Sequence, residues 1–250
     1  MNDEVVAGRR PVLELIRSGR TINKILYAEG AQGIGPLLSE ARAAGIVCQQ
    51  VDKRKLDQAA PGVRHQGVAA LAAEREYASL DDLFAAAEAA GEPPLFVLLD
   101  EIEDPHNFGS ILRTADCAGA HGVIVPKRRS AALTATVAKT SAGAVEHVKV
   151  ARVGNLAQTI DELKERGVWV AGADGAAERT VYEQDLQLPL AIVIGNEGHG
   201  LGRLVRERCD FLIRVPMFGR VNSLNASVAA SLLLYEAVRQ RRIAGPGQGS

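Results

Sequence analysis

Three polar stretches of the sequence, each following an apolar run, carry the side chains best suited to chemistry. The first contains Asn107 and Arg113, the second contains Glu197 among glycines, and the third contains Ser223 and Asn225. Amides and hydroxyls orient ligands, an arginine can hold a phosphate through two hydrogen bonds, and a carboxylate can anchor a turn. These residue types indicate a site that binds a polar or phosphorylated ligand.

The stretch Arg214 to Ser231 has the pattern of a strand end, a polar loop and the start of a helix. Pro216 ends the strand because it has no backbone N–H to donate. Small residues open the helix, where free backbone N–H groups attract polar or anionic ligand groups. Ser223 or Asn225 can also simply cap the helix. The pattern alone leaves a ligand-binding loop and an ordinary connection equally open.

Asn107 and Arg113 belong to a candidate helix that follows an apolar strand. We expect Asn107 to cap this helix. Arg113 lies about one and a half turns in, and long helical side chains lean towards the N-terminus, so its guanidinium can reach a ligand there. The alternative interpretation is an exposed ion pair between Arg113 and Asp116, which would contribute little.

The stretch Gly195 to Gly202 places glycines directly after an apolar run, where they let a backbone approach a ligand closely. Their spacing does not match the dinucleotide-binding pattern, and the sequence contains no phosphate-binding loop of the GxxxxGK[ST] type. Glu197 is the distinctive residue, because many other turn-forming residues would serve as well in a turn without a function.

Alternating apolar runs and helical patterns from residue 95 onward predict an α/β fold with an open, mostly parallel sheet. The expected strands cover 95–99, 123–125, 145–150, 168–171, 191–194 and 211–215, and the expected helices cover 108–118, 133–139, 156–166, 201–208 and 225–242. Ligands of such sheets gather beyond the carboxyl ends of the strands. The three polar stretches lie at such ends.

The pattern also predicts how the chain divides into domains. Residues 1–73 are expected to form a small α/β unit with strands over 22–28, 46–51 and 68–72. Residues 74–94 are acidic and alanine-rich, which predicts a helical linker. Residues 95–243 form the larger domain, and 244–250 form a disordered tail.

Composition narrows the class of protein. The formal net charge is −1, which argues against general coating of nucleic acid but allows local basic patches. No early segment has the apolar length of a signal peptide or membrane helix. Cys48, Cys117 and Cys209 lie far apart, and the histidines lack metal-ligand spacing. We therefore expect buried, reduced cysteines, no metal, no membrane partner and a cytoplasmic location.

Taken together, the three stretches resemble the SpoU branch of the SPOUT ribose 2′-O-methyltransferases. The matching motifs are DPHNFGSILRTADCAGAHGVIVP (Asp104 to Pro126), IVIGNEGHGL (Ile192 to Leu201) and IRVPMFGRVNSLNASVA (Ile213 to Ala229). Residues 1–73 resemble the small, ribosomal-protein-like RNA-binding domain of this family. Within the family, the chain is most similar to bacterial enzymes that methylate a guanosine ribose in the peptidyl-transferase loop of 23S rRNA.

The resemblance implies a deep trefoil knot at the C-terminal end of the sheet and a homodimer. It implies that S-adenosylmethionine (SAM) is the cofactor and is held in the knot at Gly195, Val215, Met217 and Leu224. It also implies catalytic or substrate-binding positions at Asn107, Arg113, Glu197, Ser223 and Asn225.

The partner implied by the resemblance is 23S ribosomal RNA. The basic clusters expected to contact it are Arg9-Arg10, Lys53 to Lys55, Arg64-His65 and Lys127 to Arg129. Two alternatives stay open: a related SpoU enzyme acting on transfer RNA or another ribosomal nucleotide, and a non-enzymatic RNA-binding or assembly protein. The small N-terminal domain favours ribosomal RNA, because minimal transfer-RNA members of the family lack it.

Overall fold

A computed structural model describes residues 4–73, 76–221 and 223–243 of the chain. The tail predicted to be disordered, 244–250, lies outside the described residues. The chain forms two compact units: the first combines the residues up to Glu76 with Ala132–His147, and the second combines Tyr77–Ala131 with the residues from Val148 onward. Within the described ranges, no helix combines the length and the apolar character needed to cross a membrane.

The first unit is a four-stranded sheet with helices. Its elements are β1 (Glu4–Ala7), α1 (Arg9–Arg17), β2 (Ile22–Ala28), α2 (Gly35–Ala43), β3 (Cys48–Val51), α3 (Lys53–Ala59) and β4 (Val68–Ala72). The strand order is β1-β4-β2-β3, with only β2 and β3 parallel. Strand β1 was not predicted. Asp52 caps α3 by accepting a hydrogen bond from the backbone N–H of Lys55 at 2.9 Å.

The remaining elements follow in chain order. They are α4 (Leu80–Ala90), β5 (Leu95–Leu99), α5 (Pro105–Ala118), β6 (Gly122–Pro126), α6 (Ala135–Thr140), β7 (Val150–Val153), α7 (Leu156–Glu165), β8 (Trp169–Ala173), β9 (Leu190–Ile194), α8 (Arg203–Arg208), β10 (Phe211–Ile213) and α9 (Ala226–Ile243). The strand order of the second unit is β10-β8-β9-β5-β6-β7, and every pair is parallel. The predicted mostly parallel α/β sheet is confirmed.

The central strands β5 and β9 are buried along their whole length. They read LFVLL and LAIVI because a parallel strand with helices on both faces has no face left for water. Helix α4 packs against this sheet: Leu83 is fully buried, and the ring centroids of Phe84 and Phe96 lie 5.1 Å apart. The helix predicted as a linker therefore packs into the core of the second unit.

The strand predicted over 145–150 is wrong: β7 begins only at Val150. Val145 lies in a short 3₁₀ turn, Ala144–Glu146, that follows Gly143 at φ 98°. The backbone N–H of Val145 donates to Ser141 Oγ, and that of Glu146 donates to the Gly143 carbonyl. Local turn bonding thus overrides the apolar pattern of this short run.

The segment Ala132–His147 packs with the first unit although its neighbours in sequence belong to the second. Its helix α6 packs against β1, and its following turn contacts α1, where the side chain of Glu14 lies directly against Gly143. The Nε2 atom of His147 lies 3.0 Å from Glu14 Oε2, and Arg20 pairs with Glu146 at 3.6 Å. The predicted domain boundaries placed this segment in the larger domain.

Each of the three cysteines is a free thiol. The expectation that all three are buried is wrong for Cys117, which is exposed, whereas Cys48 and Cys209 are partly buried. Position 117 lies on the outer side of α5, which faces solvent there together with Asp116.

Candidate active site

The candidate site lies at the carboxyl ends of β5, β9 and β10, within the second unit. Because β9 pairs directly with β5, the segments that follow these two strands emerge side by side. The third segment follows β10 and leads into α9, which packs against α5. The topology thereby brings the three polar stretches of the sequence to one edge of the sheet.

The turn after β9 is held by hydrogen bonds to the segment after β5. Asn196 Nδ2 donates to the Glu101 carbonyl at 3.0 Å, and the backbone N–H of Gly202 donates to Asp100 Oδ2 at 2.7 Å. Asn196 Oδ1 also accepts from the N–H of Gly198 at 2.8 Å, which closes the turn. Two side chains from neighbouring strand ends thus fix where the turn lies.

Glu197 connects all three polar stretches through one oxygen. Its Oε1 accepts from Asn107 Nδ2 at 2.9 Å, from Asn225 Nδ2 at 2.6 Å and from the backbone N–H of Ala226 at 3.0 Å. Asn225 Nδ2 also donates to Asn107 Oδ1 at 2.8 Å. A carboxylate suits this position because it offers only acceptors to three converging donors.

Asn107 does not cap α5, contrary to the sequence prediction. Asp104 is the cap: its carboxylate accepts from the backbone N–H groups of His106 and Asn107 at 3.2 and 3.1 Å. Pro105 then occupies the first helical position, where its missing N–H costs nothing. Asn107 is thereby placed in the first turn, where its side chain is available to Glu197 and Asn225.

Asn225 caps α9, one of the two residues that the sequence offered for this role. Its Oδ1 accepts from the backbone N–H groups of Ser227 and Val228 at 3.0 and 3.3 Å. The oxygen of its amide therefore serves the helix and the nitrogen serves Glu197 and Asn107. Both the oxygen and the nitrogen of the amide are hydrogen-bonded, which fixes the orientation of the side chain.

Arg113 is exposed on α5 and makes no hydrogen bond or ion pair with the residues that the structure describes. The alternative pairing with Asp116 does not occur. Its neighbour Thr114 does make a contact, because Thr114 Oγ1 lies 2.9 Å from Ser231 Oγ and joins α5 to α9. The structure thus fixes the helix that carries Arg113 and leaves the guanidinium free.

A cavity of about 220 Å³ opens beside Glu197. Ser223 and Glu197 line this cavity. So do all four residues predicted to bind the cofactor: Gly195, Val215, Met217 and Leu224. Asn107, Arg113 and Asn225 are not part of the lining. Glu197 therefore links the cavity to the network of amides outside it.

Gly195 is required by a close backbone approach. A Cβ atom at this position would lie 2.4 Å from the backbone carbon and 2.6 Å from the carbonyl oxygen of Gly200. Real Cβ atoms do not come this close to backbone atoms, so a larger residue would force the turn apart. Gly195 and Gly200 both line the cavity, so this close approach forms part of its wall at the end of β9.

Two charged residues of the cavity were not predicted, Asp174 and Arg214. Asp174 follows β8, and its position at the carboxyl end of a strand is the signal that could have identified it. Burial tends to raise the pKa of Asp174, but hydrogen bonds from Arg206 Nε at 2.6 Å and from the N–H of Ala176 at 2.8 Å lower it overall. A carboxylate therefore borders the cavity at neutral pH.

A model of the SpoU rRNA methylase family matches residues 94–235, more than half of the chain. The chain belongs to the SpoU rRNA methylase family. A second model, described as RNA 2′-O ribose methyltransferase substrate binding, matches residues 5–78 of this SpoU methylase. Among the described residues, no group of three or more His, Cys, Asp or Glu side chains could hold a metal ion.

Relatives match the SpoU methylase along nearly its whole length. A protein of Bacillus subtilis named YacO, described as a TrmH family tRNA/rRNA methyltransferase, is 54% identical over 97% of this chain and 98% of its own. Solved structures agree: AviRb of Streptomyces viridochromogenes, a SpoU methyltransferase in complex with S-adenosylmethionine, has a TM-score of 0.82 at 29% identity, covering 98% of this chain and 92% of that chain. An S-adenosylmethionine-bound rRNA methyltransferase of Sinorhizobium meliloti has a TM-score of 0.80 at 26% identity. The match covers 96% of this chain and 88% of that chain.

As a member of this family, the protein is a SAM-dependent RNA methyltransferase. The cavity fits the cofactor chemically: glycine backbone and apolar side chains line most of it, and Asp174, Glu197 and Ser223 supply polar groups. An apolar pocket with a few placed polar groups is the common form of a cofactor site.

Proposed function

We propose that this SpoU methylase methylates the ribose 2′-hydroxyl of a guanosine in the peptidyl-transferase loop of 23S rRNA. The observation that carries the proposal is the Glu197 network, which joins three strand ends beside the cavity and leaves Arg113 free on the adjoining helix. The choice of ribosomal RNA is supported by the likeness to a structure named as an rRNA methyltransferase, which extends over 96% of this chain.

SAM, when bound, supplies a sulfonium methyl group for transfer. The residues that would hold it are Gly195, Val215, Met217 and Leu224, which line the cavity. Ser223 faces the same cavity and can donate a hydrogen bond to a ligand or to the ribose. No metal is needed for this chemistry, because the leaving thioether is neutral.

The main task of the chain is then to hold the reacting groups in line. Alignment of reactants can lower a barrier by roughly 7–11 kcal/mol. Asn107 and Asn225 are fixed through Glu197, so the cavity wall and the starts of α5 and α9 form one rigid frame. A frame of this kind keeps its geometry when the RNA arrives.

In this proposal, Arg113 binds the phosphate next to the reacting ribose. A guanidinium grips a phosphate through two parallel hydrogen bonds and stays protonated at neutral pH. Arg113 therefore orients the 2′-hydroxyl, and the proton of that hydroxyl passes to the phosphate or to a water molecule. Asn225 and Ser223 orient the loop and the ribose.

The proposal includes a trefoil knot, a homodimer and a cytoplasmic location. The knot is supported by the bonds that tie the segment after β10 back to the ends of β5 and β9 through Asn225 and Ala226. The homodimer is supported by Val228, Leu232 and Tyr235, which are 46%, 41% and 50% exposed on α9. A second copy of the chain would cover this apolar face.

Transfer RNA is the second candidate substrate. It is favoured by the name of the Bacillus subtilis relative, which includes tRNA as well as rRNA. The N-terminal unit, which the substrate-binding model matches, favours ribosomal RNA over this alternative, because minimal transfer-RNA members of the family lack it.

The test is methyl transfer from labelled SAM to unmodified 23S rRNA, followed by partial alkaline hydrolysis. A methylated 2′-oxygen cannot attack its neighbouring phosphate, so the product leaves a gap in the ladder. We expect one gap, at a guanosine of the peptidyl-transferase loop. If the labelled methyl group is incorporated only into bulk transfer RNA, the proposed ribosomal substrate is wrong and transfer RNA takes its place. A protein that binds SAM but labels neither RNA would favour an assembly role.

A further inference from the structure

The first unit contains a cavity of about 510 Å³ that is lined by four cations and no carboxylate: Arg9, Arg10, Arg64, Lys139. We call these four residues and the cavity between them the basic cleft. All four side chains are exposed, and none makes an ion pair with a residue that the structure describes. Other arginines of the same unit are paired, such as Arg17 with Glu40 and Arg20 with Glu4.

We propose that the basic cleft binds phosphates of the RNA backbone and that Lys139, on the segment Ala132–His147, completes it. The proposal rests on the function proposed above, because it assumes an RNA substrate. The sequence already indicated Arg9-Arg10 and Arg64-His65 as RNA contacts; the structure adds that Arg9, Arg10 and Arg64 line one cavity and that Lys139 joins them. In the sequence these were separate clusters, and Lys139 belonged to none.

The backbone around the basic cleft is fixed by contacts that do not use the four cations' charges. His65 is buried; its Nδ1 accepts from the N–H of Gly67 and its Nε2 lies 3.0 Å from Asp57 Oδ1. Gln66 Oε1 accepts from the backbone N–H of Arg9 at 3.2 Å. The loop that carries Arg64 is thereby joined to the start of α1.

Lys139 is fixed in the same way. It lies in the last turn of α6, whose residues Val137 and Ala138 are buried. The segment is attached to α1 through Glu14, which contacts Gly143 and His147. A cation of the stretch matched by the methylase model is therefore held within the unit matched by the substrate-binding model.

The start of α1 is poorly arranged for stability alone. Its cap, Gly8, has no side chain, so the Arg9 N–H donates instead to Gln66, a neutral amide; the first turn carries Arg9 and Arg10 and no acidic residue. Cations near a helix N-terminus oppose the helix dipole, and clustered like charges repel one another. Local conflicts of this kind are typical of functional sites, where a ligand supplies the missing charge. An RNA backbone carries one negative charge per nucleotide and fits this deficit.

The experiment measures the salt dependence of binding to an unmodified transcript of the 23S peptidyl-transferase loop. The variants are Arg10→Gln, Lys139→Gln and their combination. Each lost phosphate contact should reduce the slope of log affinity against log salt by about 0.7 to 0.9. The double variant should lose about 1.5 units of slope and bind about tenfold more weakly at moderate salt.

The matched control is Arg42→Gln, which removes an exposed arginine of the same unit outside the basic cleft. It should keep the slope of the wild type. SAM affinity should be unchanged in every variant, and thermal stability should be equal or higher in the cleft variants, because a repulsive charge has been removed. These two measurements exclude misfolding as the cause of weaker binding.

The cleft proposal is overturned if the double variant keeps the slope of the wild type, or if Arg42→Gln loses as much. Failure of the proposed function gives a different result. The wild type would then not methylate the transcript, and the same slopes measured on bulk transfer RNA would still show whether the basic cleft holds phosphates.

Discussion

Glu197 Oε1 accepts hydrogen bonds from two segments that lie 90 and 28 residues away in sequence, at Asn107 and Asn225. A hydrogen bond to a charged group contributes about 1.5–3 kcal/mol when shielded, and less at an exposed position such as this one. The value of the arrangement lies in orientation. Three donors that share one acceptor cannot move independently of one another.

Arg113→Lys tests whether the guanidinium does more than supply charge. Lysine is a single point charge without the planar fork that holds a phosphate through two bonds. We expect methyl transfer in single turnover to fall by about 100-fold, because small misplacement of a reactant costs about that much. SAM affinity, measured by calorimetry, should not change, since Arg113 is outside the cavity lining.

The control for this variant is Arg42→Lys, at another exposed arginine, in the first unit. It should transfer methyl groups at the rate of the wild type. If Arg113→Lys does so too at neutral pH, the assignment of Arg113 to the phosphate is wrong.

At the scale of elements, the turn after β9 depends on the absence of a side chain at Gly195. Gly195→Ala would place a Cβ atom 2.6 Å from the Gly200 carbonyl oxygen, and the turn would have to move. We expect SAM affinity to fall more than about tenfold while the far-UV circular dichroism spectrum stays unchanged. Gly154→Ala, where no atom lies within 4 Å of the added Cβ, is the matched control. Equal SAM affinity in both variants would contradict the close-packed turn as part of the site.

The same turn is linked to pH through Asp100. Burial raises the pKa of Asp100, although the hydrogen bond from the N–H of Gly202 lowers it in part. A carboxyl with a raised pKa binds its proton more tightly in the folded state. Its stabilising contribution is therefore complete below the unfolded value of about 3.9 and is lost as pH rises through the folded value.

Asp100→Asn removes this titration but keeps an oxygen that can accept from Gly202. We expect the free energy of unfolding of the wild type, relative to that of the variant, to decrease as pH rises from about 4 to 7. Urea denaturation at several pH values measures it. Asp116→Asn, an exposed position on α5, is the control. A difference that does not vary with pH would show that Asp100 titrates as it does in the unfolded chain.

Periodicity identified the long and buried elements well. The predicted strands 22–28, 68–72 and 95–99 coincide with β2, β4 and β5, because their apolar runs are bounded by turn residues. It failed where few residues carry the signal, as in the four-residue strand β1, and where turn bonding decides, as at Val145. The order of the strands in the sheet determines which cavity the three polar stretches border and places Asp174 there. The local sequence pattern does not contain this order.

At the scale of the whole molecule, the exposed apolar face of α9 predicts self-association. Leu232→Glu places a charge in the middle of this face and should convert a dimer into a monomer, which light scattering after gel filtration would detect. Leu204→Glu on α8, another exposed leucine at 53%, should remain a dimer. A wild type that is monomeric at micromolar concentration would contradict the homodimer.

Segment Ala132–His147 also determines how the protein can fold during its synthesis. Domains often fold as soon as they leave the ribosome, N-terminal first. Here the first unit lacks α6, Glu146 and His147 until the chain has grown to residue 147, well after the strands of its own sheet have emerged. The nascent chain must therefore keep one side of β1, Glu14 on α1, and Arg20 beyond the end of α1 uncovered while β5, α5 and β6 are being made. Completion of the two units is coupled in time, although their cores are separate.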